Sequence, residues 1–510
     1  MKVTLFALNT TYSHSNIAIR YLASVLRNNN IEPVLCEYNL KDKHETVLHN
    51  LYVRDSMIYA FSVYIWNRTE MLHYARLLKQ IKPDCKIIMG GPEIGYENES
   101  FFIENPYIDT IISGEGESSI INVCTDIENY KHKIVHSKPS DDFLNSGILY
   151  DKFKTKSPII YYESSRGCPH GCSYCLSSAT KGVRIKSLEK TIADIKEIEK
   201  LPYAKIVKFV DRTFNCDMKR AKELWKELSK QEYTKTYHFE ICADTIDNEA
   251  IDIISHIPDG RIQFEAGIQS TNNKTLEAIN RYTNTKKALH NLKKIKELNN
   301  VHIHADLIVG LPHEDYESFK RSFNETIGCC DKLQVGFLKL LKGSILKTQT
   351  ENHGYIFDLQ PPYRILENKY ISYSEIHKLT EISNVIDRFY SSDKFKFSMN
   401  YIISNSKSPF DFFEKFTEYL NITPDKLSQY DCIISLFEFC SKYYDDTKIL
   451  EYITLDTLIG ENKTPPGIMD EHYVISEDEN NNKIYSFPSM PKIYYKIDRT
   501  KHTYKKYCRN

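Results

Sequence analysis

Hydrophobic and polar residues alternate in blocks along the first 135 residues. Amphipathic segments, whose apolar residues recur at near-helical spacing, separate short apolar runs. Alternating strands and helices of this kind predict an α/β domain over residues 1–135, with a parallel, doubly wound (Rossmann-like) sheet. Any ligand is then expected at the carboxyl ends of the strands. The apolar runs begin near Val3, Pro33, Met57, Lys86 and Asp109.

A second alternating region follows a polar, turn-rich break at residues 136–157, which predicts a linker. Six strand–helix units over residues 158–345 predict a partial (β/α)6 barrel of the TIM type, with its chemistry at the C-terminal ends of the strands. Residues 346–510 contain amphipathic segments with aromatic residues on one face, and predict a mainly helical C-terminal domain. The six predicted barrel strands are residues 159–165, 205–211, 237–244, 261–270, 302–310 and 332–340.

Composition narrows the class of protein. A chain of 510 residues fits two or three domains, and 67 basic against 68 acidic residues give no support for a nucleic-acid partner. The N-terminus lacks the features of a signal peptide, and no apolar run reaches the length of a membrane span. Thirteen cysteines in such a chain indicate a reducing, cytoplasmic environment, where thiols serve metals or catalysis.

Three cysteines stand in the spacing C-x3-C-x2-C just after the first predicted barrel strand: Cys168, Cys172 and Cys175. Thiolates suit iron–sulfur clusters or zinc. A structural zinc site needs a fourth ligand, and His170 has little freedom to join its neighbours on one ion. Three thiolates on a [4Fe-4S] cluster would leave one iron open, which is typical of a catalytic site.

The segment RGCPHGCSYC resembles the cluster loop of the radical S-adenosylmethionine (SAM) enzymes. In that family the open iron chelates the amino and carboxylate groups of SAM. One electron from the cluster then cleaves the C5′–S bond and releases methionine and a 5′-deoxyadenosyl radical. The resemblance implies that the cosubstrate supplies the missing fourth ligand. Zinc binding and redox chemistry are the alternatives for the same cysteines.

Polar residues at the predicted strand ends fit this resemblance. By resemblance, Tyr174 packs beside the adenine and Asp211 meets the methionine amine. Glu240 also belongs to the SAM site, while Gln269 and Ser270 hold the carboxylate or the ribose. The alternative at each position is a polar residue that only caps a strand end.

The fifth barrel strand resembles the family pattern G-x-I-x-G-x-x-x-E beside the adenine, through Ile308 and Gly310. Asp306 replaces the first glycine of that pattern, and the family's glycine pair on strand two is absent. Three further residues are candidate catalytic or substrate contacts: Arg212, Glu265 and Lys339.

Four loops at the predicted carboxyl edge of the first sheet resemble the cobalamin-binding domain that precedes the barrel in one large class of radical SAM enzymes. Glycines in GGP and GEGE would let the cofactor approach the backbone. In that class these motifs lie near the nucleotide tail of cobalamin. The resemblance implies these cobalamin-binding residues: Thr10, His14, Ser62, Tyr64, Trp66, Gly90, Gly91, Pro92, Gly114, Glu115 and Gly116.

His14 is a candidate cobalt ligand, because some cobalamin enzymes supply a histidine from D-x-H-x-x-G after strand one. Here both the aspartate and the glycine of that motif are missing, so nothing obvious orients the imidazole. We therefore predict cobalamin bound without a protein histidine, with His14 near the corrin.

The resemblance implies that the radical abstracts hydrogen from an unactivated carbon and that methylcobalamin then delivers a methyl group. The alternatives are cobalamin-dependent rearrangement or cyclisation, a tRNA methylthiotransferase, and a carrier without enzymatic activity. A methylthiotransferase would need a second cluster, for which the candidates are Cys36, Cys85 and Cys124. The expected partners are a small-molecule or peptide substrate and a flavodoxin- or ferredoxin-like electron donor.

Overall fold

The computed structural model of the chain describes residues 1–150, 157–179, 182–460, 466–477, 483–490, 493–498 and 503–508. The end of the predicted linker, residues 151–156, and most of the polar loop near residues 477–482 lie outside these ranges. Among the described helices, none combines the length and the apolar character that crossing a bilayer would require.

The first region is a six-stranded parallel sheet with the strand order β2-β1-β3-β4-β5-β6. All five predicted strands form. A sixth, β6, pairs with β5 and ends at His136, one residue inside the predicted linker. The strands are β1 (Val3–Asn9), β2 (Pro33–Asn39), β3 (Ile58–Ser62), β4 (Lys86–Gly90), β5 (Thr110–Ser113) and β6 (Lys133–His136), and the helices are α1 (Ile17–Asn28), α2 (His44–Tyr52), α3 (Arg68–Ile81), α4 (Phe101–Glu104) and α5 (Ile120–Thr125).

Both faces of this first sheet are packed. Every residue of β1 and of β3 is buried, as expected for a parallel sheet covered by helices on both sides. Adjacent residues of β4 therefore belong to different cores: Ile87 packs with Phe61 on one face, and Ile88 packs with Ile19 on the other.

The described part of the predicted linker packs against the first sheet. It contains one short helix, α6 (Asp142–Asn145), whose Phe143 side chain is fully buried. Tyr150 is also buried and donates a hydrogen bond to the backbone oxygen of Tyr161, at 3.0 Å. The segment thus connects the two sheets by packing as well as by the chain.

The second region confirms the predicted parallel strands. Its six-stranded sheet has the order β7-β10-β11-β12-β13-β14, with each neighbour following in sequence and the short hairpin β8–β9 inserted after β7. The strands are β7 (Ile159–Tyr162), β8 (Ser165–Gly167), β9 (Val183–Ile185), β10 (Ile206–Phe209), β11 (Thr236–Ile241), β12 (Ile262–Gln269), β13 (Val301–Val309) and β14 (Lys332–Phe337), and the helices are α7 (Leu188–Glu199), α8 (Met218–Leu228), α9 (Asn248–Ser255), α10 (Asn273–Ala278), α11 (Thr285–Glu297) and α12 (Tyr316–Ile327).

The central strands of this second sheet alternate in burial. On β12 and β13 every second residue is fully buried against the helices, and the residues between them are half-buried. The half-buried face carries mostly polar side chains: Gln263, Glu265, Gln269, His302, His304 and Asp306. This face is the inner face of the partial barrel, and we call it the lumen.

The C-terminal region is mainly helical as predicted, but it ends in an antiparallel four-stranded sheet that the sequence did not predict. Its strands are only four to six residues long, and the first of them, Val474–Glu477, is exposed at every residue. The helices are α13 (Ile345–Thr348), α14 (Thr350–His353), α15 (Tyr373–Val385), α16 (Lys396–Asn405), α17 (Pro409–Leu420), α18 (Gln429–Tyr443) and α19 (Thr447–Gly460), and the strands are β15 (Ile356–Phe357), β16 (Ile365–Glu367), β17 (Val474–Glu477), β18 (Lys483–Ser486), β19 (Ile493–Asp498) and β20 (Thr503–Cys508).

Candidate functional site

The cysteine loop begins at the carboxyl end of the first barrel strand. The hairpin β8–β9 closes the base of the loop by pairing Gly167 with Val183. Gly167 has a φ of +100°, and a Cβ there would lie 2.1 Å from the backbone oxygen of Gly182. Only glycine fits this turn, which brings the cysteines back over the sheet.

All three cysteines line one cavity of about 210 Å³ at the mouth of the barrel. Their thiols are free of disulfides, and Cys172 is 5% exposed. A compact group of soft ligands in a half-open cavity fits an iron–sulfur cluster with one iron left for another ligand. The lining also includes side chains from several strand ends: Tyr174, Arg212, Glu240, Glu265, Gln269, Arg281 and Asp306.

Arg281 is a functional residue that the sequence analysis missed. Its guanidinium donates from Nη1 to the Cys172 sulfur at 3.6 Å and from Nη2 to the backbone oxygen of Gly267. Burial raises the pKa of the Cys172 thiol, and the positive charge of Arg281 opposes that shift. Arg281 lies 109 residues after Cys172, outside any local motif, so only the tertiary structure reveals it.

Two oxygen atoms of the cavity-lining residues, Gln269 Oε1 and Asp306 Oδ1, are buried without a hydrogen-bond partner among the described residues, and so is one nitrogen atom, Arg281 Nε. Because an unpaired buried oxygen is costly, both oxygens fit hydrogen bonds to a polar ligand. Hydroxyl or ammonium groups such as those of SAM would supply them. The sequence predicts Gln269 for this site, whereas Asp306 stands out in the sequence only as a departure from a family glycine.

The cavity is acidic, and the pKa values of its carboxyl groups are strongly shifted. Burial raises the pKa of Glu240 to about 7, and the guanidinium of Arg212, 4.0 Å away, opposes that shift. Burial, followed by the charges of Glu265 and Glu240, raises the pKa of Asp306 to about 8. A cationic ligand in the cavity would favour the ionised forms, so the site suits the sulfonium and ammonium charges of SAM.

Asp211 does not line this cavity. Its carboxylate is fully buried and accepts hydrogen bonds from the backbone N–H of Ser164 at 2.9 Å and from the Ser165 hydroxyl at 2.7 Å. It therefore holds the chain at the start of the cysteine loop. Contact with the methionine amine remains a prediction for Asp211, and the geometry assigns it this positioning role.

Other predicted SAM residues at the ends of β12 and β13 also lie outside the cavity lining. Ser270 is buried and donates to Glu314 at 2.8 Å. Ile308 packs against the hydrophobic core. Gly310 has a φ of +89° and accepts hydrogen bonds at its backbone oxygen from Tyr355 and Asn368. These residues support the C-terminal end of the sheet.

Lys339, a candidate substrate contact, is likewise outside the cavity. The residue is exposed, and its backbone forms an isolated bridge with Arg364 of the C-terminal region. The other two candidates, Arg212 and Glu265, both line the cavity.

The predicted cobalamin loops converge at the carboxyl edge of the first sheet. The strand order reverses between β1 and β3, and such a switch point opens a crevice for ligands. Tyr64 and Trp66 follow β3 and stack with ring centroids 4.4 Å apart, and Trp66 is 42% exposed. An exposed flat aromatic surface at this crevice fits a large planar cofactor.

The remaining loop residues occupy the same edge. Thr10 and Pro92 are exposed, and Ser62 accepts a 3.5 Å hydrogen bond from the Asn16 side chain. Gly91 has a φ of +118°, and a Cβ there would lie 2.3 Å from the Val63 backbone oxygen. At Gly114, with a φ of +94°, a Cβ would lie 2.9 Å from the Ser137 backbone oxygen, and at Gly116 it would lie 3.0 Å from Leu22. Close packing explains these three glycines without a ligand.

Glu115 joins the two regions. Its carboxylate pairs with Arg166 at 2.9 Å and also with Arg184 of β9, and Arg166 forms two further ion pairs, with Glu117 at 2.6 Å and Glu163 at 2.9 Å. Arg166 stands two residues before Cys168. The cluster loop is therefore attached directly to the carboxyl edge of the first sheet, a role that the sequence did not indicate for Glu115.

His14 also lies between the two regions. Its Nδ1 is hydrogen-bonded to the hydroxyl of Tyr161 on β7, and the two rings stack with centroids 6.0 Å apart. The histidine is thus engaged by the barrel through one of its two ring nitrogens.

Comparisons with known proteins agree with this geometry. Residues 3–123 match the family "B12 binding domain", residues 162–325 match the "Radical SAM superfamily", and residues 351–504 match "Protein of unknown function (DUF4080)". Together these matches cover each of the three regions, and the first two correspond to the two parallel sheets.

Among characterised relatives, the chain is 25% identical over 350 residues to a 2-(S-pantetheinyl)-carbapenam-3-carboxylate methyltransferase from Streptantibioticus cattleyicolor, covering 59% of this chain and 50% of that protein. It is also 25% identical over 342 residues to the cobalamin-dependent radical SAM methyltransferase TokK from Streptomyces tokunonensis, covering 58% and 49%. The chain thus spans about half the length of these relatives. A ribosomal protein uS12 methylthiotransferase RimO from Chlamydia caviae is 24% identical, covering 48% of this chain and 54% of that protein.

Among solved structures, the cobalamin-dependent SAM radical enzyme OxsB superposes with a TM-score of 0.61 at 15% identity, covering 90% of this chain and 79% of that one. The radical SAM methyltransferase TsrM from Kitasatospora setae gives a TM-score of 0.55 at 13% identity, with coverages of 69% and 76%. At these identities the likeness concerns the fold.

A cobalamin-binding sheet joined to a radical SAM barrel defines the class of this protein. The chain combines a B12-binding domain over residues 3–123 with a domain of the radical SAM superfamily over residues 162–325. These two domains imply its cofactors, which are cobalamin for the first domain and a [4Fe-4S] cluster with SAM for the second.

Proposed function

We propose that this chain is a cobalamin-dependent methyltransferase that acts on an unactivated carbon of a small-molecule or peptide substrate. One observation carries the proposal: the three free thiols and the unpaired oxygens of Gln269 and Asp306 belong to residues that line a single cavity. When bound, the cluster and SAM supply hydrogen-atom abstraction, and cobalamin supplies the methyl group.

The residues of this chain position those groups. The three cysteines would hold the cluster, with the Arg281 guanidinium beside the Cys172 sulfur. Gln269 and Asp306 would hydrogen-bond the polar groups of SAM, and the carboxylates of the cavity would match its positive charge. In the first sheet, the crevice between β1 and β3 would hold cobalamin against Trp66, with no histidine ligand from the protein.

The contacts between the two regions support cooperation of the two cofactors. Glu115 and Glu117 follow β5 of the cobalamin-binding sheet and pair with Arg166, which precedes the cluster loop. His14 follows β1 and contacts Tyr161 of the barrel. Substrate held between the two sites would meet both reactive groups, because the carboxyl edges of the two sheets are fastened together.

A methylthiotransferase is the second candidate function, and the positions of the N-terminal cysteines oppose it. Cys36 and Cys85 belong to the core on one face of the first sheet, whereas Cys124 belongs to the core on the other face. Burial raises the pKa of all three thiols. These three cysteines cannot share one cluster without unfolding the sheet.

The experiment uses protein loaded with cluster and cobalamin, a chemical reductant in place of the flavodoxin- or ferredoxin-like donor, and SAM labelled in its methyl group. We expect 5′-deoxyadenosine to form and the label to reach the corrinoid fraction. Cys172→Ala should lose iron and reduce 5′-deoxyadenosine to background. Cys216→Ala, which changes an exposed cysteine outside the cavity lining, is the matched control.

The outcomes separate the alternatives. Formation of 5′-deoxyadenosine without any transfer of label would favour rearrangement or cyclisation over methylation. Equal cleavage by Cys172→Ala and by the unchanged protein would exclude the cysteine loop as the cluster site.

A further inference from the structure

A second group of metal-ligating side chains lies in the lumen, below the cavity that holds the cysteines. It consists of His238 on β11, Glu265 on β12 and His304 on β13. One ligand atom from each of the three lies within 4.8 Å of the other two. The group uses neither the cysteine loop nor the carboxyl edge of the first sheet, and it shares only Glu265 with the cavity described above.

Strand geometry places this group directly beneath the cavity that the three cysteines line. Glu240 and Asp306 line that cavity, and His238 and His304 precede them by two residues on the same strands. Residues two apart on a strand face the same side and are separated by about 6.5 Å. The three side chains therefore form the next layer down, and Glu265 belongs to both layers.

The chemistry of this layer is unusual for the interior of a barrel. Barrels of this type fill the interior with layers of branched apolar side chains. Here His238 is 4% exposed and its Nε2 lies 2.9 Å from Glu265 Oε2, while the rings of His302 and His304 have centroids 4.8 Å apart. Imidazole and carboxylate groups thus stand where such a barrel ordinarily has apolar side chains.

His304 contacts the other two histidines of the lumen through its ring. Its ring packs against the rings of His238 and His302, with centroids 5.8 Å and 4.8 Å away. Within the described part of the chain, neither of its ring nitrogens forms a hydrogen bond with a protein group, so both are available to a ligand. Glu265, by contrast, is satisfied by His238 and by the ammonium of Lys208 at 3.3 Å.

We infer that His238, Glu265 and His304 bind a divalent transition-metal ion of the zinc class at the base of the lumen. Two imidazoles and one carboxylate are a ligand set typical of Zn²⁺ and Fe²⁺. Three protein ligands leave at least one coordination position for water or substrate. This inference goes beyond the proposed methyl transfer and does not depend on it.

The positive charge of Lys208 should lower the affinity of this site for a metal ion. Its ammonium occupies space beside Glu265 and would repel an incoming cation. Lys208→Gln removes that charge, so it should tighten metal binding severalfold. A site that needed Lys208 for its structure would instead weaken.

The experiment dialyses the cluster- and cobalamin-loaded protein against buffered Zn²⁺ and measures zinc and iron per chain. We expect one additional zinc with no loss of iron. His304→Gln should weaken binding at least about 10-fold, because even outer partners of metal ligands contribute 10- to 100-fold. His377→Ala, which removes a histidine 62% exposed on α15, should leave zinc binding unchanged.

X-ray absorption at the zinc edge identifies the ligands independently of any folding defect in a variant. Bound zinc should show nitrogen and oxygen neighbours at about 2.0–2.1 Å, whereas zinc on the cysteine loop would show sulfur at about 2.3 Å. Sulfur neighbours, displacement of iron, absence of zinc, or equal affinity of the protein and its His304→Gln variant would each overturn the inference.

Discussion

The molecule contains two parallel sheets of six strands, and the two sheets differ in what covers their second face. In the cobalamin-binding sheet, β1 and β3 are buried at every position, and hydrophobic cores cover both faces. In the barrel sheet, β12 and β13 alternate strictly between buried and half-buried residues. Sheets of equal strand number thus differ in whether the second face meets a helix or a polar lumen.

This difference also determines where each sheet can bind a ligand. A sheet packed on both faces offers only its carboxyl edge, where loops such as the one carrying Trp66 can reach a cofactor. A sheet with a polar inner face adds side chains from within its strands, including Glu240, Glu265 and Asp306. Alternation within a parallel strand is therefore a functional signal, since parallel strands ordinarily read as continuous apolar runs.

The largest expected effect comes from truncating adjacent residues in each sheet. Ile87→Ala and Ile88→Ala on β4 should each lower the local unfolding free energy by about 2–5 kcal/mol, because both side chains are buried on opposite faces. On β12, Ile262→Ala should have a similar effect, and Gln263→Ala should change stability by less than about 1 kcal/mol.

Hydrogen exchange measured on peptides from β4 and β12 gives these local free energies. If Gln263→Ala were as damaging as Ile262→Ala, the lumen face would be a packed core and the contrast between the sheets would fail.

An intermediate effect is expected where the two sheets are joined. Arg166 contacts three carboxylates at once, and lysine cannot reproduce its forked geometry. Arg166→Lys should destabilise the junction by about 2 kcal/mol and loosen the cluster loop. Faster hydrogen exchange in β8 and reduced iron retention on dilution are the measurements.

Arg184→Lys is the matched control for this substitution, since Arg184 also pairs with Glu115 but is twice as exposed, at 24% against 12% for Arg166. A larger effect from Arg184 than from Arg166 would contradict the assignment of Arg166 as the main connection.

The smallest effect concerns pH and the carboxyl end of the barrel sheet. Burial raises the pKa of Glu314 to about 7, against the hydrogen bonds from Ser270, Ser322 and Ser318, which lower it. The folded state therefore holds this proton more tightly than the unfolded state. The contribution to stability is complete below the ordinary pKa of about 4.5 and is lost as pH rises through about 7.

Glu314→Gln should remove this dependence, so that the protein and the variant diverge by on the order of 1 kcal/mol between about pH 5 and about pH 8. Denaturant midpoints at the two pH values test it. Glu317→Gln, at an exposed position on α12, should retain the original pH dependence. Identical pH profiles for Glu314→Gln and the unchanged protein would show that Glu314 is ionised when folded.

The sequence by itself determined the features that depend on neighbours along the chain. Strand–helix alternation predicted both parallel sheets, and the spacing of Cys168, Cys172 and Cys175 predicted the cluster loop. The prediction of the sheets is confirmed, because the period of apolar residues acts through local backbone geometry. The terminal sheet was not predicted, because strands of four to six residues are too short to show a strong period.

Only the tertiary structure decided which distant side chains meet. It brought Arg281 to Cys172, joined Glu115 to Arg166, and placed Asp306 in the cavity while directing Asp211 toward Ser164. It also assembled His238, Glu265 and His304 from three strands. These contacts depend on the curvature and stagger of the barrel. The long-range pairing of all six strands determines that geometry, and no local sequence pattern encodes it.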